Sequence, residues 1–147
     1  MATVYNNAKE LLANGGIDFS NDTIKLLLYD NSQAYSPDPD EGPYVNDIVG
    51  VNATEMSGTG YGRKTLTVTV TQDDTDDEGV VDASDTTFSG LDAGTIQGWI
   101  IYKEVTDDTD SPVIMATDDS DIADLPLTTN GSDVTIQWNA EGVLNIT

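Results

Sequence analysis

The sequence predicts an all-β protein, an antiparallel β-sandwich or jelly-roll-like barrel carrying one short N-terminal α-helix. Three observations predict it. Short segments alternate apolar and polar residues at the period of two that a half-buried strand requires. Turn formers (Gly, Pro, Asn, Asp and Ser) separate those segments at close spacing. Helical periodicity is confined to one stretch near the start. At 147 residues, the chain is long enough to bury a core as a single domain, residues 1–147. With no Cys, it must do so without disulfides.

The helix is expected over about residues 4–13. Thr3 is placed to cap it, Val4, Ala8, Leu11 and Leu12 recur at helical spacing with Tyr5 on the flank, and Asn14-Gly15-Gly16 stops it. Strands begin at about residue 23. Ile24, Leu26 and Leu28 alternate with Lys25, Leu27 and Tyr29, so this strand is apolar on both faces and belongs in the middle of a sheet. The stretch from Asn31 to Gly42, with Pro37, Pro39 and the following Pro43, cannot be a central strand.

Lys64 to Thr71 reads as one half-buried strand, with Leu66, Val68 and Val70 inward and Thr65, Thr67, Thr69 and Thr71 outward. An acidic turn follows, from Asp73 to Gly79. Short strands are expected at Val80–Asp82 and Thr86–Phe88. A second strand apolar on both faces runs from Thr95 to Val105 and carries Trp99, Ile100, Ile101 and Tyr102. Val113–Thr117 is next. Leu125–Thr128 and Asp133–Trp138 flank Asn130-Gly131, the strongest hairpin signal in the chain. Val143 to Ile146 makes the last strand.

Composition narrows function more than motifs do. There are 27 carboxylates against 5 basic side chains and no His, a formal net charge of −22. Such a charge opposes compaction in dilute buffer. In molar salt the Debye length falls to roughly 3 Å and the repulsion is screened. Asp outnumbers Glu, Lys is scarce and Thr is abundant, which together read as adaptation to brine. The chain is read as coming from an extreme halophile or one of its viruses. Nucleic-acid binding needs Lys and Arg to neutralise phosphates, so no nucleic-acid partner is expected. Mimicry of DNA needs a phosphate-like row of acids, whereas these acids cluster in loops.

Met1 to Tyr5 show neither a basic n-region nor an apolar h-region, so no cleaved leader is expected. The longest apolar runs, Leu26–Tyr29 and Trp99–Tyr102, are far short of the roughly 20 residues that cross a bilayer, and no membrane partner is expected.

Without His or Cys, the Ser/His/Asp and Cys/His nucleophilic systems and His-ligated zinc or iron sites are excluded. A glycosidase-like carboxylate pair would need one acid in an apolar pocket, and nothing in the spacing of 27 acids nominates a pair. No enzymatic activity, catalytic residue or resident cofactor is expected. Acidic clusters could hold Ca²⁺, Mg²⁺ or K⁺ through carboxylate oxygens. The weak candidates are Asp73, Asp74, Asp76 and Asp77 in one cluster and Asp118, Asp119 and Asp121 in another. Two further clusters are Asp38/Asp40/Glu41 and Asp107 to Asp110. None has the spacing of an EF-hand loop, and a solvated acidic loop explains each equally well.

Arg63-Lys64 is the one adjacent basic pair. It reads either as two surface charges opening a strand or as an interface contact to an acidic neighbouring subunit, where Arg could pair bidentately. Trp99 and Trp138 read as core residues of their strands, with a carbohydrate or interface platform as the alternative. Ser57-Gly58-Thr59-Gly60-Tyr61-Gly62 precedes a strand and lacks the Lys-Ser/Thr of a phosphate-binding loop, so it reads as a bend or close-approach loop.

Thr54-Glu-Met-Ser-Gly-Thr-Gly-Tyr-Gly-Arg63, leading into an alternating strand, resembles a pattern in small virion structural proteins of tailed phages and haloarchaeal tailed viruses. The opening Asn7–Ala13 and Asp22–Leu28, the strand Gly98–Lys103 and the ending Val134–Val143 are similar too. The departure from the pattern is the charge. The resemblance implies a virion component made in the host cytoplasm, of the head-decoration, tail or fibre type. A capsid decoration, cement or vertex-turret protein is the first expectation. It would bind capsid protein or other virion subunits as a symmetric homo-oligomer, a trimer or pentamer matching capsid axes. A tail, baseplate or fibre component is the second, and a non-viral halophilic sugar- or cation-binding β module the third.

Overall fold

The computed structural model describes residues 2–118 and 124–147, and its strands form antiparallel sheets in a sandwich-like all-β fold. The chain order is β1 (Thr3–Val4), α1 (Asn6–Asn14), β2 (Ile24–Asp30), α2 (Val45–Ile48), β3 (Lys64–Thr65), β4 (Val68–Asp73), β5 (Glu78–Ala83), β6 (Thr86–Phe88), β7 (Gly94–Lys103), β8 (Val113–Thr117), β9 (Leu127–Thr129), β10 (Val134–Ile136) and β11 (Leu144–Ile146). The main sheet runs β1-β8-β7-β2-β3, with β9 also on β7; β11-β5-β4 and β10-β6 are smaller sheets.

The two strands apolar on both faces lie side by side at the centre, paired from Ile24↔Lys103 to Asp30↔Ile96. Burial on both faces is what their continuous apolar runs require. The pairing skips Gln97, since Tyr29 faces Gly98 and Asp30 faces Ile96. This bulge matters for placement. It returns Ile96 to the face that carries Trp99 and Ile101, opposite Leu28 and Leu26. On that same face β8 adds Thr117 and Met115, the partners of Trp99 and Ile101. Phe88, Leu66 and Ala83 from or beside the smaller sheets join the core cluster, with Val134, Ile136 and Leu144 packed against it.

On the other face, Tyr29 meets the Tyr35 ring edge-on at 5.3 Å between centroids. The Tyr35 hydroxyl bonds that of Tyr5, the residue just before α1. The Pro-rich segment is held there too, because Asn6 N–H donates to the Pro39 carbonyl at 3.0 Å.

Several expectations are corrected. Thr3 does not cap the helix: Thr3 and Val4 pair with Ala116 and Met115 as β1. The helix starts at Asn6, after a Tyr5 that gives no side-chain cap. Gly15, at φ +78°, ends it as expected. The segment Lys64–Thr71 is not one strand. Lys64–Thr65 pairs with β2 in the main sheet, whereas Val68–Asp73 pairs with β5. Val70 is 48% exposed rather than buried. Asn130-Gly131 does form a turn, with Gly131 at φ +88°, but it is no hairpin. β9 pairs with β7 and β10 with β6. The turn is held instead by Leu91, whose carbonyl accepts from Gly131 N–H at 2.8 Å.

Candidate functional site

Among the described residues, Arg63 stands out by its side-chain hydrogen bonds, five in all. It sits one residue before β3, at the end of the Gly-rich segment. Gly60, at φ +79°, packs against the Gly90 carbonyl so closely that a Cβ has no room. This is the close approach the glycines were expected to serve. It delivers the guanidinium between two loops.

There Nε donates to Glu55 Oε1 at 2.8 Å and Nη2 to Glu55 Oε2 at 2.7 Å. Nη1 donates to Asp108 Oδ1 at 2.5 Å and Nη2 to Asp108 Oδ2 at 2.8 Å. Nη1 also donates to the Tyr102 hydroxyl at 3.2 Å, and the guanidinium carbon lies 5.4 Å from that ring's centroid. All five donors are used, and both carboxylates are gripped bidentately. Asp108 first, then Glu55, push the guanidinium further above its already high range. Glu55 also accepts from the Tyr61 hydroxyl at 2.7 Å. Burial, then the Glu55 charge, push that phenol upward. Arg63 thus finds acidic partners, but in its own chain, and keeps no donor for a neighbouring subunit. Sequence reasoning missed Glu55 and Asp108 because nothing in local spacing marks either as a partner. Lys64, its neighbour, places its ammonium 5.3 Å from the Phe88 ring centroid.

The acidic clusters have an unexpected local role. Asp18, Asp30, Asp38, Asp73 and Asp107 each accept the backbone N–H two residues on, from Ser20, Ser32, Asp40, Thr75 and Thr109. Asn14, Asn130 and Asn139 do the same for Gly16, Ser132 and Glu141. A short side chain reaches this N–H, and Glu, one methylene longer, is poorly placed to do so. Part of the Asp bias is therefore turn chemistry. Backbone donors hold Asp73 and Asp110 below the usual carboxylate range, and for Asp18 the Asn21 side chain leads.

Of the candidate cation ligands, Asp73 caps its own turn and Asp74 accepts from Gln72 Nε2. Asp76 and Asp77 are exposed in the same turn, and Asp118 is buried. Asp119 and Asp121 lie outside the described residues. Among the described residues, no three acids converge as metal ligands.

A cleft of about 860 Å³ lies between the main sheet and the C-terminal strands. Ile96, Trp99 and Met115 form one wall, and Ile136, Trp138 and Leu144 line the other side. Trp99 and Trp138 meet edge to face, 5.4 Å apart at 81°. Trp99 is 6% exposed and thus a core residue, as expected. Trp138 is half-buried just beyond β10, and its Nε1 donates to the Ser84 carbonyl at 3.2 Å.

Comparison of the chain with family models, with curated proteins and with solved structures finds no match.

Proposed function

We propose that the protein is a virion structural component of a haloarchaeal tailed virus, a capsid decoration, cement or vertex-turret protein. It binds capsid protein or neighbouring virion subunits as a symmetric oligomer and works through its surfaces, not through a reactive pocket. One observation carries this reading. The long loops are tied down by side-chain networks (Arg63 with Glu55 and Asp108, Tyr5 with Tyr35), which favours surfaces held in one shape. A rigid surface binds with little ordering cost, which suits a part that must bridge a shell. The likeness of Thr54–Arg63 to small virion proteins and the brine-adapted charge agree with it.

Mass spectrometry of purified particles tests the proposal by copy number. Hundreds of copies per particle support decoration, a few to a dozen indicate a tail or fibre position, and absence overturns the virion reading. Selective removal of the protein should lower particle resistance to heat and low salt.

The Trp-lined cleft favours a second reading, a sugar-binding module, because aromatic walls with nearby amides suit a pyranose ring. Glycan-array binding lost on Trp138→Ala would establish it. Trp99→Ala is the poorer test, since that ring is core.

A further inference from the structure

We propose that β4 is a dimerisation edge, at which two copies of this chain pair antiparallel about a two-fold axis through Val70. The pairing would join two three-stranded sheets into one continuous sheet. This goes beyond the virion reading and does not depend on it.

β4 is the longest strand at any sheet margin among the described residues, and it pairs only with β5. Between its half-buried ends every residue is exposed. Such an edge is a template for another strand, and proteins ordinarily blunt it with Lys, Pro, a bulge or a cover. β4 has none of these. Its register with β5 is unbroken from Val68↔Ala83 to Asp73↔Glu78. In a chain of net charge −22, the run from Thr65 to Gln72 holds no charged side chain at all.

The free backbone groups select the occupant. Ser84 N–H donates to the Thr67 carbonyl at 3.0 Å, so Thr67 turns its backbone toward β5. Alternation along the strand then turns Thr69, Thr71 and Asp73 inward, and Val68, Val70 and Gln72 outward. An antiparallel copy centred on Val70 satisfies all three outward residues: Val70 meets the partner's Val70, and Val68 meets the partner's Gln72. The intervening positions place Thr69 beside the partner's Thr71, a favourable cross-strand pair. The paired run ends at Val68 and the partner's Gln72, because the next outward N–H, that of Leu66, already donates to the Ile24 carbonyl at 2.9 Å, and Asp73 lies beyond the run, so no two carboxylates face each other. Sliding the centre to Gln72 would set Val70 against the partner's Asp74 in the acidic turn. Sliding it to Val68 runs past the start of β4. Centring on Thr71, a non-hydrogen-bonded pair, would set Thr69 against the partner's Asp73 and Val68 against its Asp74, so the Val70 register alone pairs Val68–Gln72 with itself free of the acidic turn.

The test is mass by light scattering in molar salt, with five variants. Wild type should give twice the 15.7 kDa of the chain. Val70→Pro removes an N–H that the fold itself does not use, a placement an edge strand tolerates. It should leave the circular dichroism intact and weaken dimerisation roughly 10- to 100-fold, through loss of both central bonds. Should that variant unfold, Val70→Lys, at a half-exposed site, replaces an apolar pair at the axis with two hydrated ammonium groups and should weaken dimerisation likewise. In a chain without native Cys, Val70→Cys should form a disulfide across the axis, the Cα atoms of such a pair lying about 5.5 Å apart. Thr69→Cys should not cross-link alone, but should do so when mixed with Thr71→Cys. A monomeric wild type overturns the proposal. So does an oligomer of any size whose mass is unchanged in both Val70→Pro and Val70→Lys, or cross-linking of Thr69→Cys alone with none from Val70→Cys.

Discussion

Arg63 shows how one side chain can organise loops that are distant in sequence. It joins Glu55, before the Gly-rich segment, to Asp108, in the acidic turn after β7. Because its side chain is 23% exposed, the network is partly screened, and its loss costs less than that of a fully buried ion pair. Arg63→Lys keeps the charge but, with three donors on one nitrogen, cannot grip both carboxylates bidentately. It should lower the unfolding free energy by about 2 kcal/mol in denaturant titration, below the range for breaking a buried pair. None of this geometry was legible locally: the basic residue was visible, but its partners lie 8 and 45 residues away. The tyrosines make a second prediction. Burial chiefly raises the phenol of Tyr5 from 10.0 to about 12, and it drives that of Tyr35 upward as well. A folded-state pKa above the unfolded one stabilises fully below the unfolded value and is lost as pH rises through the folded value. Alkaline unfolding, followed by tyrosinate absorbance and circular dichroism together, should therefore fall between pH 10 and about 12. Tyr5→Phe should flatten that transition.

At the scale of elements, what the sequence made legible depended on how many faces a strand buries. β2 and β7 were readable as central because both faces carry apolar side chains, a pattern only two-sided burial explains. The β3–β4 break was not, since Leu66, Val68 and Val70 keep their alternation straight through the point where the chain leaves one sheet for another. Likewise Asn130-Gly131 announced a turn truthfully, yet local signals cannot say which strands a turn joins. β9 and β10 find partners in different sheets. The acidic loops were seen as clusters of charge, while their backbone-capping role depends on geometry that composition does not carry. Glycine positions sharpen the point. Gly15 and Gly60 have nearly the same positive φ, +78° and +79°, but a Cβ at Gly15 meets nothing within 4 Å. At Gly60 it collides with the Gly90 backbone. Gly15→Ala should cost about 1 kcal/mol, the left-handed strain alone. Gly60→Ala should cost at least twice that and loosen the segment that presents Arg63. Thermal midpoints of the two variants, measured side by side, check the contrast.

Charge acts on the whole molecule, and it acts twice. Within one chain, −22 opposes compaction, so lowering salt from molar to 0.01 M, where the Debye length reaches roughly 30 Å, should unfold the protein. Between chains the same charge is felt a second time, because two like-charged bodies must approach each other. The core resists with the buried strands β2, β7 and β8 of the main sheet, whereas an edge contact through β4 has only backbone bonds and small side chains. The weaker assembly should fail first. As salt falls, scattering mass should halve before β-sheet circular dichroism declines, leaving a salt window of folded monomer. Mild acid separates charge from screening. Protonating exposed carboxylates relieves repulsion, but Asp73 and Asp110, held low by backbone donors and present in that state only when folded, destabilise as pH falls through their folded values. Sign and order are both fixed by this: at low salt, lowering pH from neutral toward the ordinary carboxylate range near 4 should first restore structure and only below it remove structure. A monotonic loss of circular dichroism on acidification in dilute buffer would show that repulsion is not what limits the fold.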